Sequence, residues 1–341
     1  MTLYVVLFAV HLALLPALVP VFFIVDRVRG TPVLVRAYLM FALYFSCEVM
    51  GLLVALGIWL GSLVWLGGSR HRFSRWNFKL QCHWLRCLFG GTRRIFRWRV
   101  EVSGEEAVQR GNILFFIRHA STADTVLAGV FVSYRHGICL RYVLKDELLW
   151  DPCLDIVGNR LPNGFVVRGT GQTERALEEV ARLTDDMGPY DGVLIYPEGT
   201  RYTPKKRARI LARLAEKRAA DGADADDEVS AENLVRARAL KHVLPPRLAG
   251  PLTLLSRAAD ADVVFCAHTG LERALSFREF MAGGLNDVHL AIAFWRVARK
   301  DIPEARAEQV AWLYEQWRRV DEWIGARQPG GRGAERRADG D

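Results

Sequence analysis

Two residues able to do acid–base chemistry stand five positions apart in the stretch RHASTADT, His119 and Asp124, directly after the apolar run ILFFI at 113–117. A histidine held by a carboxylate is a general base: the acid fixes the imidazole tautomer and stabilises the positive charge that develops when the ring takes a proton. Such a base can activate a hydroxyl. On a regular helix a five-residue step turns the side chain by roughly 140°, so the pair can meet only if His119 lies in a turn and Asp124 in the helix that follows. Ser121 and Thr122 suit the start of that helix, and VLAGVFV can extend it. None of the other seven histidines has an aspartate five residues later. Taken alone, the spacing also arises by chance, and a histidine satisfied at a strand end would look the same.

Two further stretches end in charged groups, NGFVVRG with Arg168 and LIYPEGTR with Glu198 and Arg201. By itself the second is what a structural ion pair at a sheet end looks like. Its weight changes because each of the three clusters follows a strand-like run. In a mostly parallel sheet those strand ends gather along one edge, where ligands usually sit in open α/β sheets. A histidine base and two guanidiniums would then share a cleft, and guanidiniums hold phosphate through paired hydrogen bonds.

The elements that must position these groups begin near residue 97. RVEV, ILFFI, LRYVL at 140–144, GFVV at 164–167, VLIY at 193–196, DVVFCA at 262–267 and VHLAIAFW at 288–295 read as strands. Helical spacing lies between several of them, as at Thr173 to Thr184. The expected fold is α/β, a mixed, largely parallel sheet flanked by helices and preceded by N-terminal membrane helices. This places a catalytic domain over 97–325, interrupted by a charged helical excursion over about 204–242 with a solvated break at DGADADDE. Val310, Leu313, Trp317, Val320 and Ile324 mark one face of a closing helix. The tail 326–341 is expected to be disordered.

The first 69 residues carry the surplus of a chain of 341 residues that is 51% hydrophobic with mean hydropathy +0.07. Leu3 to Val25 is long enough to cross a hydrocarbon core of roughly 30 Å. A second apolar stretch, Ala37 to Gly67, contains Glu48 and is too long for a simple upright crossing, so a steep tilt, a hairpin or a partly interfacial helix all fit. Basic residues flank both sides of it, which favours the hairpin or re-entrant form and a cytoplasmic catalytic domain. Over 70–96 basic residues interleave with aromatic ones, as in an interfacial segment facing anionic headgroups. Beside such segments the net charge of +8 points to a lipid surface rather than to nucleic acid. The six scattered cysteines make neither a disulfide framework nor a convincing metal site.

The motifs HASTAD, GFVVR, YPEGTR and HVLPPRLAG at 242–250 occur in the order of the four blocks of the glycerolipid acyltransferases, which include 1-acylglycerol-3-phosphate acyltransferase and lysocardiolipin acyltransferase. The chain resembles that family over roughly residues 70 to 325. The resemblance implies that His119, oriented by Asp124, deprotonates the hydroxyl of a lysophospholipid, most directly 1-acylglycerol-3-phosphate, and that the alkoxide attacks the thioester of acyl-CoA or acyl carrier protein. It assigns the acceptor side to Gly164, Arg168, Gly199, Thr200 and Arg201, makes Glu198 orient Arg201 or the glycerol, and puts Pro246 on the acyl-donor side. No metal and no cofactor beyond the acyl co-substrate is implied, and the partners are the bilayer, the acceptor and the donor. Another lysolipid or a glycolipid acceptor would use the same dyad. An ester hydrolase is disfavoured because no G-x-S-x-G elbow occurs. A non-catalytic membrane adaptor with a basic face stays open. Arg118, where the family has a small polar residue, and Leu248 and Ala249 in the fourth block depart from the pattern.

Overall fold

The computed structural model describes residues 2–64, 69–109, 111–121, 123–145, 149–166, 173–221, 230–272 and 277–328. Arg168, Thr122, most of DGADADDE and nearly all of the tail therefore lie outside the described residues. The chain divides into two compact units, one made of residues 1–100, 125–170 and 270–290, the other of 101–124, 171–269 and 291–341.

In the first unit, α1 (Thr2–Arg29) and α2 (Leu34–Val64) pack against each other, and both are long and apolar enough to cross a membrane. The Asp26 carboxylate turns the chain between them by accepting the Leu34 and Val35 N–H groups at 3.0 and 2.9 Å, which satisfies two orphan donors at the start of α2. His11 stacks on Tyr38 at 4.0 Å and accepts the Tyr38 hydroxyl on its carbonyl at 2.9 Å, so a polar clasp holds the two apolar helices together. α2 runs unbroken for 31 residues, so the reversal expected inside the second stretch is absent; the hairpin is made by α1 and α2 together. Glu48 faces protein, not lipid: it is fully buried and accepts the Cys153 N–H at 3.1 Å near the start of α5 (Pro152–Gly158).

The basic aromatic segment is one helix, α3 (Arg70–Phe96). Asn77, Leu80, Leu85, Leu88, Phe89 and Phe96 form its buried face, while Arg72, Arg75, Trp76, Lys79, Arg86, Arg93 and Arg94 are exposed. α2 and α3 approach closely at Gly91, where any Cβ would stand 2.3 Å from a Leu43 methyl. The same unit holds the parallel pair β3 (Cys139–Lys145) and β4 (Gly164–Val166), with Val143 opposite Gly164, and the short helix α10 (Phe277–Met281).

The second unit is built on a mixed sheet. From one edge it runs through the end of β1 (Arg99–Ser103), β7 (His289–Val297), β6 (Asp262–Thr269), β2 (Ile113–Ile117) and β5 (Asp191–Ile195). β2 pairs in parallel with both β5 and β6, and β7 runs antiparallel to β6. All five residues of β2 are buried, as a continuous apolar run at the centre of a parallel sheet requires. α6 (Thr173–Arg182), α9 (Ala249–Arg257) and α11 (Arg306–Gly325) pack around it, α11 directly on β6. Val310, Leu313, Trp317, Val320 and Ile324 are all buried on the inner face of α11, as their spacing predicts. The charged excursion supplies α7 (Pro204–Asp221) and α8 (Ala231–Ala239).

Candidate active site

The parallel register brings three strand ends together in the second unit. Phe116 pairs with Ile195 and Ile117 with Cys266, so the residues that follow β2 and β5 and those that close β6 leave the sheet at one edge. There His119 stands in a turn, and Asp124 is the first residue of α4 (Asp124–Ala128), which continues as a π-helical turn to Tyr134. His119 Nδ1 lies 3.0 Å from Asp124 Oδ2. The same oxygen accepts the backbone N–H of Ala120 at 2.7 Å and of Ser121 at 2.8 Å. Ser121 Oγ in turn accepts the Ala123 N–H at 3.0 Å. Asp124 is fully buried and the His119 side chain is 20% exposed, so the carboxylate sits behind the ring and Nε2 is the nitrogen left for an incoming hydroxyl. The Tyr196 ring, 4.3 Å away between centroids, packs against the imidazole.

Glu198 has a different job from the one its neighbour Arg201 suggested. Fully buried, it accepts the His119 N–H on Oε1 at 2.8 Å and the Leu244 N–H on Oε2 at 2.9 Å. It thereby ties the histidine turn to the fourth-block loop. Burial pushes its carboxyl up to about 7, against the pull of the Arg118 charge and of those two N–H groups. Among the described residues no carboxylate pairs with the guanidinium of Arg201, which is partly exposed. Its carbonyl and the Thr200 hydroxyl both accept from Lys206 Nζ at 3.0 Å. Gly199 adopts φ +63° in the turn closed by its N–H to the Tyr196 carbonyl, and the Arg247 stem lies across it, 2.7 Å from where a Cβ would be. Pro246 is buried in the loop whose Arg247 N–H donates to the Pro197 carbonyl at 2.8 Å. Gly164 is buried at the start of β4, in the first unit, and Arg168 lies outside the described residues.

Residues that the motifs did not single out complete the support. Arg118 is 1% exposed and points inward, donating to the carbonyls of His268 at 2.7 Å and His242 at 3.2 Å. A small polar residue cannot span that distance, which gives this departure from the family pattern a structural reason. Asp321 on α11 accepts three consecutive N–H groups, those of Lys241, His242 and Val243, on one oxygen at 2.9, 2.5 and 3.1 Å. Trp317 Nε1 donates to the Leu244 carbonyl at 3.0 Å. α11 thus holds the loop that holds Glu198, and Glu198 holds the His119 backbone. No spacing in the sequence links positions 119, 198, 244 and 321; only the fold makes them neighbours.

Fold and dyad together define a class, an α/β domain with a carboxylate-backed histidine at a sheet edge. Residues 99–219 match the family model described as Acyltransferase. The chain is 25% identical over 226 residues to the mouse (Mus musculus) 1-acyl-sn-glycerol-3-phosphate acyltransferase epsilon, a match covering 63% of this chain and 57% of that protein. It thus spans a little over half the length of that curated relative. A solved structure, the 1-acyl-sn-glycerophosphate (LPA) acyltransferase PlsC from Thermotoga maritima, is similar with a TM-score of 0.49 at 16% identity, covering 82% of this chain and 98% of that one. Over residues 99–219 the chain is thus similar to the Acyltransferase family, and the curated relative it resembles is a 1-acyl-sn-glycerol-3-phosphate acyltransferase.

Proposed function

We propose that this protein is a membrane-bound acyltransferase that moves a fatty acyl group from a thioester, acyl-CoA or acyl carrier protein, to the free hydroxyl of a lysophospholipid, converting 1-acylglycerol-3-phosphate to phosphatidic acid. The observation that carries the reading is the contact of His119 Nδ1 with buried Asp124, which leaves Nε2 as the base. His119 Nε2 takes the hydroxyl proton as the oxygen attacks the thioester carbonyl carbon; the tetrahedral intermediate then expels the thiolate, which recovers the proton from His119. Asp124 stabilises the imidazolium between those two events. The guanidinium of Arg201, with Arg247 across Gly199, suits an acceptor phosphate, and Arg168 is assigned to the same phosphate by its motif alone.

α1 and α2 hold the enzyme in the bilayer, and the exposed basic and aromatic face of α3 lies at the headgroups, with Lys79 Nζ 5.0 Å from the centre of the Trp76 ring. Basic residues at Arg70, Arg72 and Arg75, which follow α2 in the chain, support a catalytic domain on the cytoplasmic side. His119→Ala is expected to reduce transfer of labelled acyl groups from acyl-CoA to lysophosphatidate by at least about a thousandfold while the protein still accumulates in membranes. Retained turnover would overturn the assignment.

A further inference from the structure

We infer that His268 is a positioning residue for the His119 and Asp124 dyad, holding the far oxygen of the carboxylate. Asp124 Oδ2 carries three donors, whereas Oδ1 has no hydrogen bond within normal distance and is nevertheless fully buried. The group that faces it is His268 Nε2, at 3.5 Å. His268 lies near the carboxyl end of β6, is fully buried, and has the same Nε2 at 3.1 Å from the Arg118 carbonyl. A carbonyl can only accept, so Nε2 carries the proton and that N–H is shared between the Arg118 carbonyl and Asp124 Oδ1. The arrangement is pinned from both sides, because the Arg118 guanidinium donates back to the His268 carbonyl at 2.7 Å and the Arg118 N–H donates to the Cys266 carbonyl at 3.1 Å. The carboxylate therefore lies between two imidazoles, one working at Nε2 and one buried behind it.

The consequence is electrostatic as well as steric. A buried carboxylate keeps its charge and its plane only if fixed dipoles replace the water it has lost. On Oδ2 the backbone N–H groups and His119 do this; on Oδ1 the His268 N–H does. Without the His268 N–H, the negative charge of Asp124 would face His119 alone. Other titratable groups around the dyad are Arg118 beyond β2, Tyr196 and Glu198 beyond β5, and Cys266 on β6, whose thiol burial pushes well above its usual range.

The activity arm of the test rests on the acyl-transfer reading; the spectroscopic arm does not. In the full chain in nanodiscs, His268→Phe is expected to lower kcat roughly 10- to 100-fold with acceptor KM changed less than about twofold, and to move the acidic limb of kcat/KM upward by roughly half a unit. His268→Gln, whose amide places a donor near the same point, is expected to regain at least about tenfold of that loss and return the limb toward wild type. Unchanged kcat and limb in the Phe variant, or equal loss in Phe and Gln, overturns the inference. If His119→Ala itself retains turnover, the acyl-transfer reading fails instead. Should the Phe variant not fold, ring nitrogen-15 spectra of histidine-labelled wild type, assigned with the Gln variant, decide the matter. His268 must stay neutral with its proton on Nε2 while His119 titrates, and a charged ring or a proton on Nδ1 overturns the inference.

Discussion

Glu198 shows how far a residue's neighbours in sequence mislead about its work. In LIYPEGTR it stands three positions from Arg201 and invites an ion pair; in the fold both its oxygens are taken by backbone N–H groups. Since burial raises its folded value to about 7 from a usual 4.5, the folded state binds the extra proton between those values, and stability falls as pH rises through that window. Glu198→Gln is expected to flatten the decline of the thermal midpoint between about pH 5 and 7, while lowering stability overall by the roughly 1–3 kcal/mol of a lost buried acceptor. A variant with the wild-type slope would show that another group titrates there. Arg201, by contrast, pairs with no carboxylate among the described residues. Arg201→Ala should raise KM for a phosphate-bearing acceptor by about 10- to 100-fold and leave KM for the acyl donor within about twofold. An acyl donor effect of equal size would place Arg201 on the other substrate.

Among the elements, the strands of the second unit were legible because their runs are short, apolar and bounded by turn residues, and β2, β5 and β6 fall where those runs predict. The helix that carries Asp124 was harder to read. VLAGVFV is helix-compatible, yet its α-helical part lasts five residues before a π-helical turn takes over, with Gly129 pressed against Leu85 so closely that a Cβ would sit 2.2 Å from its methyl. Such a bulge answers packing from another element, which local periodicity does not encode. The support given by α11 belongs to the same scale. Asp321→Ala removes the acceptor from three consecutive N–H groups and is expected to destabilise the second unit by about 2–4 kcal/mol, with activity lost at the same temperature as the fold. Matched thermal scans of activity and of tryptophan fluorescence check this; a fall in activity with no shift in the midpoint would mean that Asp321 acts on the site without supporting the loop.

For the molecule as a whole, a charge of +8 and two long apolar helices at the amino end make one physical expectation. Hydrophobic burial of α1 and α2 should survive salt and alkali, whereas attraction of the exposed α3 arginines to anionic headgroups should be screened within about a Debye length of 8 Å at physiological ionic strength. The full chain is expected to stay with the membrane pellet after alkaline carbonate extraction, and replacing Arg72, Arg75, Arg93 and Arg94 by glutamate should reduce activity on anionic vesicles several-fold without releasing the protein. Release by carbonate would show that α1 and α2 are not inserted. Composition and periodicity pointed to the apolar N-terminal segments, the α/β class and the basic segment, because burial against lipid or a sheet repeats at short range along the chain, while His119, Asp124, Glu198 and Arg201 stood out through motif spacing and a family resemblance. Tertiary structure alone decided that Arg118 turns inward, that Glu198 holds two backbone segments, and that His268 and Asp321 stand behind the dyad and its loop. Those groups are joined by hydrogen bonds across 46 to 150 residues of chain, and which distant strand end faces which is fixed only when the parallel register of β2 with β5 and β6 is formed.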